Sequence, residues 1–290
     1  MKNVLDNFVV FILSHRRAGY IPTIHALEKA GYTGEWRIVI DDEDDQAPEY
    51  FKRYGDKVIQ FAKSEIAKTF DEYDTTGNRK SVVYARNVCF DLARQLGKRF
   101  FLELDDDYTY FRYRIVDNTG LHAVYVRNFN RICAYFIEFL QSSKSLLSVA
   151  FAQSGDFIGG AGGLFRKGTK RKAMNSFFCD TEKPFQFLGR INEDVNTYTL
   201  LAHRGALFLT ITGVSLNQET TQQNSGGMTE LYLDCGTYVK SFYSVIGCPS
   251  AVKISRVGGG HGVTHWRIHH CVSWNNCAAK IIEERWKKSS

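Results

Sequence analysis

Proline is scarce, with only 4 in 290 residues, and no low-complexity tract accompanies it. That combination argues against long disordered linkers. The 7 cysteines, from Cys89 to Cys277, form no CxxC pair and no zinc-ligand spacing, and their number is odd. A disulfide framework and a zinc ribbon are disfavoured; reduced, mostly buried thiols of a cytosolic protein are expected. Long apolar runs are missing too. No stretch reaches membrane-spanning length, and Phe8 to Leu13 near the N-terminus suffices only for a strand. The expectation is a soluble, intracellular protein without internal repeats.

What the chain does contain suits one large α/β domain, or one core with a substantial appendage: 44% hydrophobic and 14% aromatic residues. The net charge of +6 (pI about 8.8) is mild. Positive charge is nevertheless concentrated at 166–172, where Arg166, Lys167, Lys170, Arg171 and Lys172 fall within seven residues. Such a run is usually a solvated loop, but it is also what contact with a phosphate backbone requires. Glycines cluster at 159–163 and 258–260, as loops approaching a ligand or a strand closely would need.

Strand and helix patterns alternate through the first hundred residues. Strands are expected at Phe8–Leu13, Trp36–Ile40, Lys57–Phe61 and Phe100–Leu104, with helices at Ile21–Ala30, about 47–54 and Lys80–Leu96. This order predicts a mostly parallel sheet with right-handed crossovers. Further on, the pattern predicts strands at Tyr108–Val116, Leu146–Phe151 and Ala206–Ile211. It predicts helices at Ala123–Leu140, Asn192–His203, Thr229–Ile246 and about 277–288, and an extended stretch at Val263–His270.

Three acidic or histidine-rich places carry the chemistry. The strand Phe100–Leu104 runs into Asp105-Asp106-Asp107. Ligands of open α/β sheets collect beyond strand carboxyl ends, and a dense carboxylate cluster there favours a hard divalent cation with phosphate. Alternation along an extended chain puts Asp105 and Asp107 on one side and Asp106 on the other. Asp41 or Asp42, at the end of the second strand, can serve the base and ribose of a nucleotide. Asn192-Glu193-Asp194 opens a helix, where a carboxylate is either an N-terminal cap or a catalytic base. His261, His265, His269 and His270 lie within ten residues; if extended, His265, Arg267 and His269 share a face that could complete a metal shell and meet phosphate.

Together these features resemble the glycosyltransferase A fold. Its Asp-x-Asp motif is matched by Asp105-Asp106-Asp107, its later acid pair by Glu193-Asp194, and its C-terminal metal-binding histidine by His265 or His269. More narrowly, Phe11-Ile-Leu-Ser-His-Arg-Arg17, Tyr84-Ala-Arg-Asn87, Leu104–Tyr108 and Ile191-Asn-Glu-Asp-Val-Asn196 look like phage glycosyltransferases associated with TET/J-binding-protein-type base oxygenases.

The resemblance implies one domain over 1–290: a Rossmann-type nucleotide-sugar half at 1–108 and a mixed acceptor half at 109–290. It implies Mn²⁺ or Mg²⁺ on Asp105, Asp107, His265 and His269. A UDP-sugar would meet Ser14, His15, Arg16, Asp41, Asp42, Arg86, Asp105, Asp106 and Arg267, with Asp194 and Glu193 catalytic. The implied acceptor is a 5-hydroxymethylpyrimidine in DNA, contacted by Lys167, Lys170, Arg171 and Lys172, in the cytoplasm of an infected bacterial host. Other acceptors (protein, glycan or small metabolite), a non-catalytic binding module and a metal-dependent nuclease remain as alternatives.

Overall fold

The computed structural model describes residues 4–218, 236, 238–258 and 267–279. The first half alternates β1 (Phe8–Leu13), α1 (Pro22–Lys29), β2 (Glu35–Asp41), α2 (Ala47–Tyr54), β3 (Val58–Phe61), α3 (Lys63–Ala67), α4 (Val83–Gln95) and β4 (Phe100–Asp105). β1 pairs in parallel with both β2 and β4, and β2 with β3. β1 is an unbroken apolar run because both of its faces are covered. Phe8, Val10 and Ile12 enter the core beneath α1, while Val9, Phe11 and Leu13 enter the core beneath α4.

The second half adds β5 (Tyr108–Asp117), β6 (Gly120–Tyr125), α5 (Phe129–Gln141), β7 (Leu146–Ala152), β8 (Ser176–Asp180), α6 (Glu193–Ala202) and β9 (Leu207–Gln218). All of these strands join the first four in one nine-stranded sheet, ordered β3-β2-β1-β4-β8-β7-β9-β5-β6. The block β3-β2-β1-β4 is parallel; β8 then pairs antiparallel with both β4 and β7. The chain leaves β3 on one side of β1 and returns as β4 on the other. Strand order therefore reverses between β1 and β4, and a crevice opens at their carboxyl ends. Leu13 stands opposite Asp105 in the register, so Ser14–Arg17 and the acid triplet leave adjacent strand ends together.

After β9 come α7 (Val239–Gly247) and a separate hairpin, β10 (Val252–Val257) with β11 (Arg267–Val272).

One expectation needs correction, one strand adds to those expected, and two helix expectations fall partly or almost wholly outside the described residues. The helix expected from Ala123 begins at Phe129, because Gly120–Tyr125 pairs with β5 as a hairpin. The turn Asp117-Asn118-Thr119-Gly120, with the Thr119 amide donating to Asp117, is the hairpin signal that the helical reading passed over. β8 was not anticipated: its five residues, all buried, are short and lack a flanking helix period. Of the helix expected at Thr229–Ile246, residues 236 and 238–246 are described and Val239–Gly247 is helical; the segment around 277–288 lies almost wholly outside the described residues.

Candidate active site

The acid triplet is held from three directions. Asp106 turns toward β1, where the Ser14 hydroxyl donates to one carboxyl oxygen at 2.7 Å and Arg17 Nη1 to the other at 2.8 Å. Burial pushes its pKa up to about 7 against the pull of Arg17. Thr23 of α1 stitches the turn, donating to the Asp105 carbonyl at 2.7 Å and accepting from the Tyr108 amide at 2.9 Å.

Asp105 shares the Glu103 side of β4. Its two oxygens accept from Arg86 Nη2 at 2.9 Å and from the Tyr108 hydroxyl at 3.1 Å. Asp107 accepts from Gln218, at the end of β9, at 3.1 Å through one oxygen. Its other oxygen, Oδ1, is buried with no hydrogen-bond partner among the described residues. Burial and then the Asp105 charge push the Asp107 pKa up to about 6.

Arg86 is the hub. It is buried at 2% exposure on α4, lies against the rings of Phe177 and Phe187, and reaches three carboxylates. These are Asp105, Glu193 through Nε at 3.0 Å, and Glu103 at 3.5 Å. A buried guanidinium is tolerable only when so surrounded. Glu103 is itself wholly buried, and burial pushes its pKa up to about 8 although Arg86 opposes the shift.

A raised folded-state pKa contributes stability that is complete below the ordinary value of 4.5 and lost as pH rises through about 8. Glu103→Gln cannot ionise. Its unfolding temperature should therefore fall less than that of the wild type between about pH 4.5 and 8, and parallel curves would refute the buried acid.

At the start of α6, Asn192 adopts a left-handed conformation (φ 61°), and Glu193 and Asp194 fill the first turn. Glu193 is committed to Arg86. Asp194 has no arginine partner: it accepts from the Val195 amide at 2.7 Å and feels the Lys240 charge from α7. Burial, then the Glu193 charge, push the Asp194 pKa up to about 7.

The β10–β11 hairpin reaches the same helix end, where the Asn192 amide donates to Ser244 at 2.5 Å and to His270 Nδ1 at 3.4 Å. Burial, with His269 and Lys240, holds the His270 pKa down at about 4. His269 Nδ1 donates to the His270 carbonyl at 2.9 Å, which fixes the tautomer and leaves Nε2 as an acceptor.

The second-strand acids mostly bind the protein itself. Asp41 pairs with His15 at 3.0 Å and with the buried Lys63 at 3.2 Å; these outweigh burial and hold its carboxyl below the usual range. Asp42 accepts from the Lys63 amide at 2.9 Å at the head of α3. Arg16 pairs with Asp45 at 3.1 Å, and its amide donates to Asp44 at 2.8 Å. Arg267 opens β11 and is exposed, its charge felt by Lys240 and His269.

The basic segment is anchored rather than loose. Lys170 exchanges two backbone hydrogen bonds with Thr210 of β9, Lys172 pairs with Asp156 at 2.8 Å, and Arg171 lies 5.7 Å from the Trp274 ring. His265 and the Lys167 side chain lie outside the described residues. Lys63, Gln218 and Lys240 take part without any sequence signal having marked them; Arg17 and His270 lay within motifs the sequence shows but had no role of their own there.

A parallel β3-β2-β1-β4 block, with an acid-tipped strand at the reversal of strand order, defines a glycosyltransferase A fold. The TET-Associated Glycosyltransferase family model matches residues 8–227, and the chain belongs to that family. The protein is accordingly a nucleotide-sugar glycosyltransferase. No curated protein matches the sequence.

Among solved structures, one titled a mycobacterial protein is 9% identical, covering 92% of this chain and 84% of its own, with a TM-score of 0.48. Glucosyl-3-phosphoglycerate synthase from Mycobacterium tuberculosis, in complex with Mg²⁺ and UDP, is 9% identical over 92% of this chain and 87% of its own (TM-score 0.45). Its complex with Mn²⁺ and UDP-glucose is 8% identical over 92% and 86% (TM-score 0.46). Among the described residues, no helix is long and apolar enough to cross a membrane.

Proposed function

We propose that the protein moves a sugar from a UDP-sugar to the hydroxymethyl group of a 5-hydroxymethylpyrimidine in DNA, with Mn²⁺ or Mg²⁺ on the donor diphosphate. The observation that carries this reading is the Arg86 clamp: one guanidinium joins Asp105 at the tip of β4 to Glu193 at the head of α6. It brings the diphosphate end of the site and the acidic helix start within one side chain's span.

The carboxylates fit a hard divalent cation. Asp107 Oδ1 has no hydrogen-bond partner among the described residues, and burial with the Asp105 charge raises the Asp107 pKa although Arg17, at 3.8 Å, and Gln218 oppose the shift. No group of three or more His, Cys, Asp or Glu among the described residues forms a cage. Mg²⁺-class ions need none, because one or two carboxylates plus substrate phosphates suffice. Asp107, with Asp105 beside it, would hold the ion; the described residues do not bring His269 into one group with these carboxylates. When bound, the ion neutralises the charge that develops on the departing diphosphate. The mycobacterial synthase structures hold UDP with Mg²⁺ and UDP-glucose with Mn²⁺; for this chain the reading rests on its own carboxylates.

The chain's residues divide the remaining work. Arg86 fixes Asp105 and Glu193 in place. Arg17 and Ser14 lock the triplet turn through Asp106. Asp194, poised near neutrality, takes the proton of the acceptor hydroxyl as its oxygen attacks the anomeric carbon, and the bond to the diphosphate breaks on the opposite face. This is a single displacement with inversion. A base within a duplex must be presented in the groove or flipped out to reach Asp194. The anchored segment 166–172 offers phosphate a fixed contact through Arg171.

Release of UDP from a UDP-sugar tests the donor half of this reading. It should stop in excess chelator and return with added Mn²⁺; an undiminished rate in chelator would remove the ion from the reaction.

A further inference from the structure

β5 leaves the acid triplet directly, and its outward side chains form a surface that the catalytic reading does not use. An irregularity in pairing between Tyr108 and Tyr110 resets the alternation. Tyr108 and Phe111 are buried in the core, whereas Tyr110, Arg112 and Arg114 point to the other side of the sheet. Arg112 stands opposite Tyr125 of β6, so the two strands present one mixed face.

The Arg112 guanidinium lies 4.1 Å from the Tyr110 ring and 4.6 Å from the Tyr125 ring, and its Nη2 donates to the Tyr125 hydroxyl at 3.0 Å. Arg114 lies 4.1 Å from the Phe157 ring and donates to Ser215 at 2.8 Å. Arg127 also lies 5.8 Å from the Tyr125 ring and is tied to the Lys29 carbonyl at 3.0 Å. A cavity of about 240 Å³ opens beside Tyr110, Tyr125 and Arg127.

The charge pattern sets this face apart from most of the molecule. Many arginines elsewhere close on acids: Arg37 on Glu35, Arg79 on Glu43, Arg99 on Asp180. Among the described residues, Arg112, Arg114 and Arg127 have no carboxylate partner. Their forks are instead held by aromatic rings, an arrangement that orients a guanidinium without neutralising it. Burial and the Arg112 charge hold the Arg114 pKa below its usual value. Three aligned cations without an acid among them repel one another, and a polyanion laid across them relieves that repulsion. Tyr125, 50% exposed, keeps ring surface free for a base. Cations interleaved with exposed rings match a strand whose phosphates and bases alternate. Tyr110 lies three residues beyond Asp107, on the order of 10 Å along a strand, so a strand docked here ends near the acid triplet.

We propose that the Tyr110–Arg112–Arg114 face of β5, with Tyr125 and Arg127 of the β6 edge, docks a nucleic-acid strand and feeds its target base toward the site. The inference rests on DNA as the acceptor. Fluorescence anisotropy of a fluorescein-labelled single-stranded DNA oligonucleotide, over a salt series, tests it. In Arg112→Ala/Arg127→Ala the slope of log affinity against log salt should fall by about 0.7 for each phosphate that is no longer neutralised. Tyr125→Ala should weaken binding roughly tenfold with the slope unchanged, as removal of one stacking platform implies. Metal-dependent hydrolysis of the UDP-sugar donor should persist in both variants, which shows that they fold.

Wild-type affinity and slope in folded variants of a protein that does bind DNA would overturn this surface and leave the acceptor reading standing. A wild-type protein that binds no oligonucleotide would overturn both. Binding of poly-glutamate as tightly as the oligonucleotide would overturn the surface as a nucleic-acid site, pointing to an acidic protein.

Discussion

Replacing Asp194 by asparagine should lower the rate of sugar transfer by about 10²–10⁴, the range that a positioned general base contributes, while donor affinity stays near its wild-type value. Its neighbour Glu193 is neutralised by Arg86, so the two adjacent acids have different environments and different uses. Asp194, buried beside a like charge, holds its proton up to about pH 7. A base works only when deprotonated, so the wild-type transfer rate should rise with pH through about 7, and the asparagine variant should lose that step. Stability moves the other way. The raised pKa means that the protonated form favours folding, and that contribution fades as pH rises through about 7. Asp194→Asn should therefore melt no lower than the wild type at pH 8. A variant that keeps its transfer rate, or fails only because it unfolds, would return Asp194 to the role of a helix cap.

Asp107→Ala should abolish turnover and Mn²⁺-dependent binding of UDP, measured by calorimetry, without harming the fold. The carboxylate is a net burden to the protein alone: it is buried close to Asp105, one of its oxygens has no donor among the described residues, and burial outweighs Gln218 and Arg17 to hold its pKa at about 6. Its contribution to stability is lost as pH rises through that value, so the alanine variant should melt at or above the wild-type temperature above pH 6 when no metal is present. A residue that destabilises the empty protein and is indispensable to the loaded one is a ligand in waiting. A variant that melts markedly lower and still binds UDP with Mn²⁺ would mark Asp107 as structural.

The sequence displays the parallel block plainly because buried strands there are continuous apolar runs closed by charge: Phe8–Leu13 before Ser14–Arg17, and Phe100–Leu104 before the aspartates. Strand-to-helix alternation then dictates the crossover and the crevice. The β5–β6 hairpin was illegible as such, since Leu121 and Val124 are also compatible with a helix and the reading did not draw on the Asp-Asn-Thr-Gly turn. β8 was hidden for another reason. A five-residue strand inserted from far along the chain owes its place to the edge that β4 offers, and no local pattern encodes that partner.

Within the site, the acids could be seen as types but not as partners. That Arg86 takes Glu193 rather than Asp194 depends on the left-handed turn at Asn192 and on the packing of α4 against β4. That Asp41 and Asp42 serve Lys63 depends on α3, a helix too short to announce itself.

The central claim, transfer of a sugar to a modified base in DNA, is met most directly by mass spectrometry of nucleosides. DNA carrying 5-hydroxymethylcytosine or 5-hydroxymethyluracil would be incubated with the protein, Mn²⁺ and a panel of nucleotide sugars, then digested. The expected result is one hydroxymethylated nucleoside heavier by a single glycosyl residue, with one donor of the panel, and absent with Asp194→Asn. Donor hydrolysis with every hydroxymethylated nucleoside unchanged across the panel would contradict the DNA acceptor, and glycosylation of unmodified DNA would contradict the hydroxymethyl group as its point of attachment.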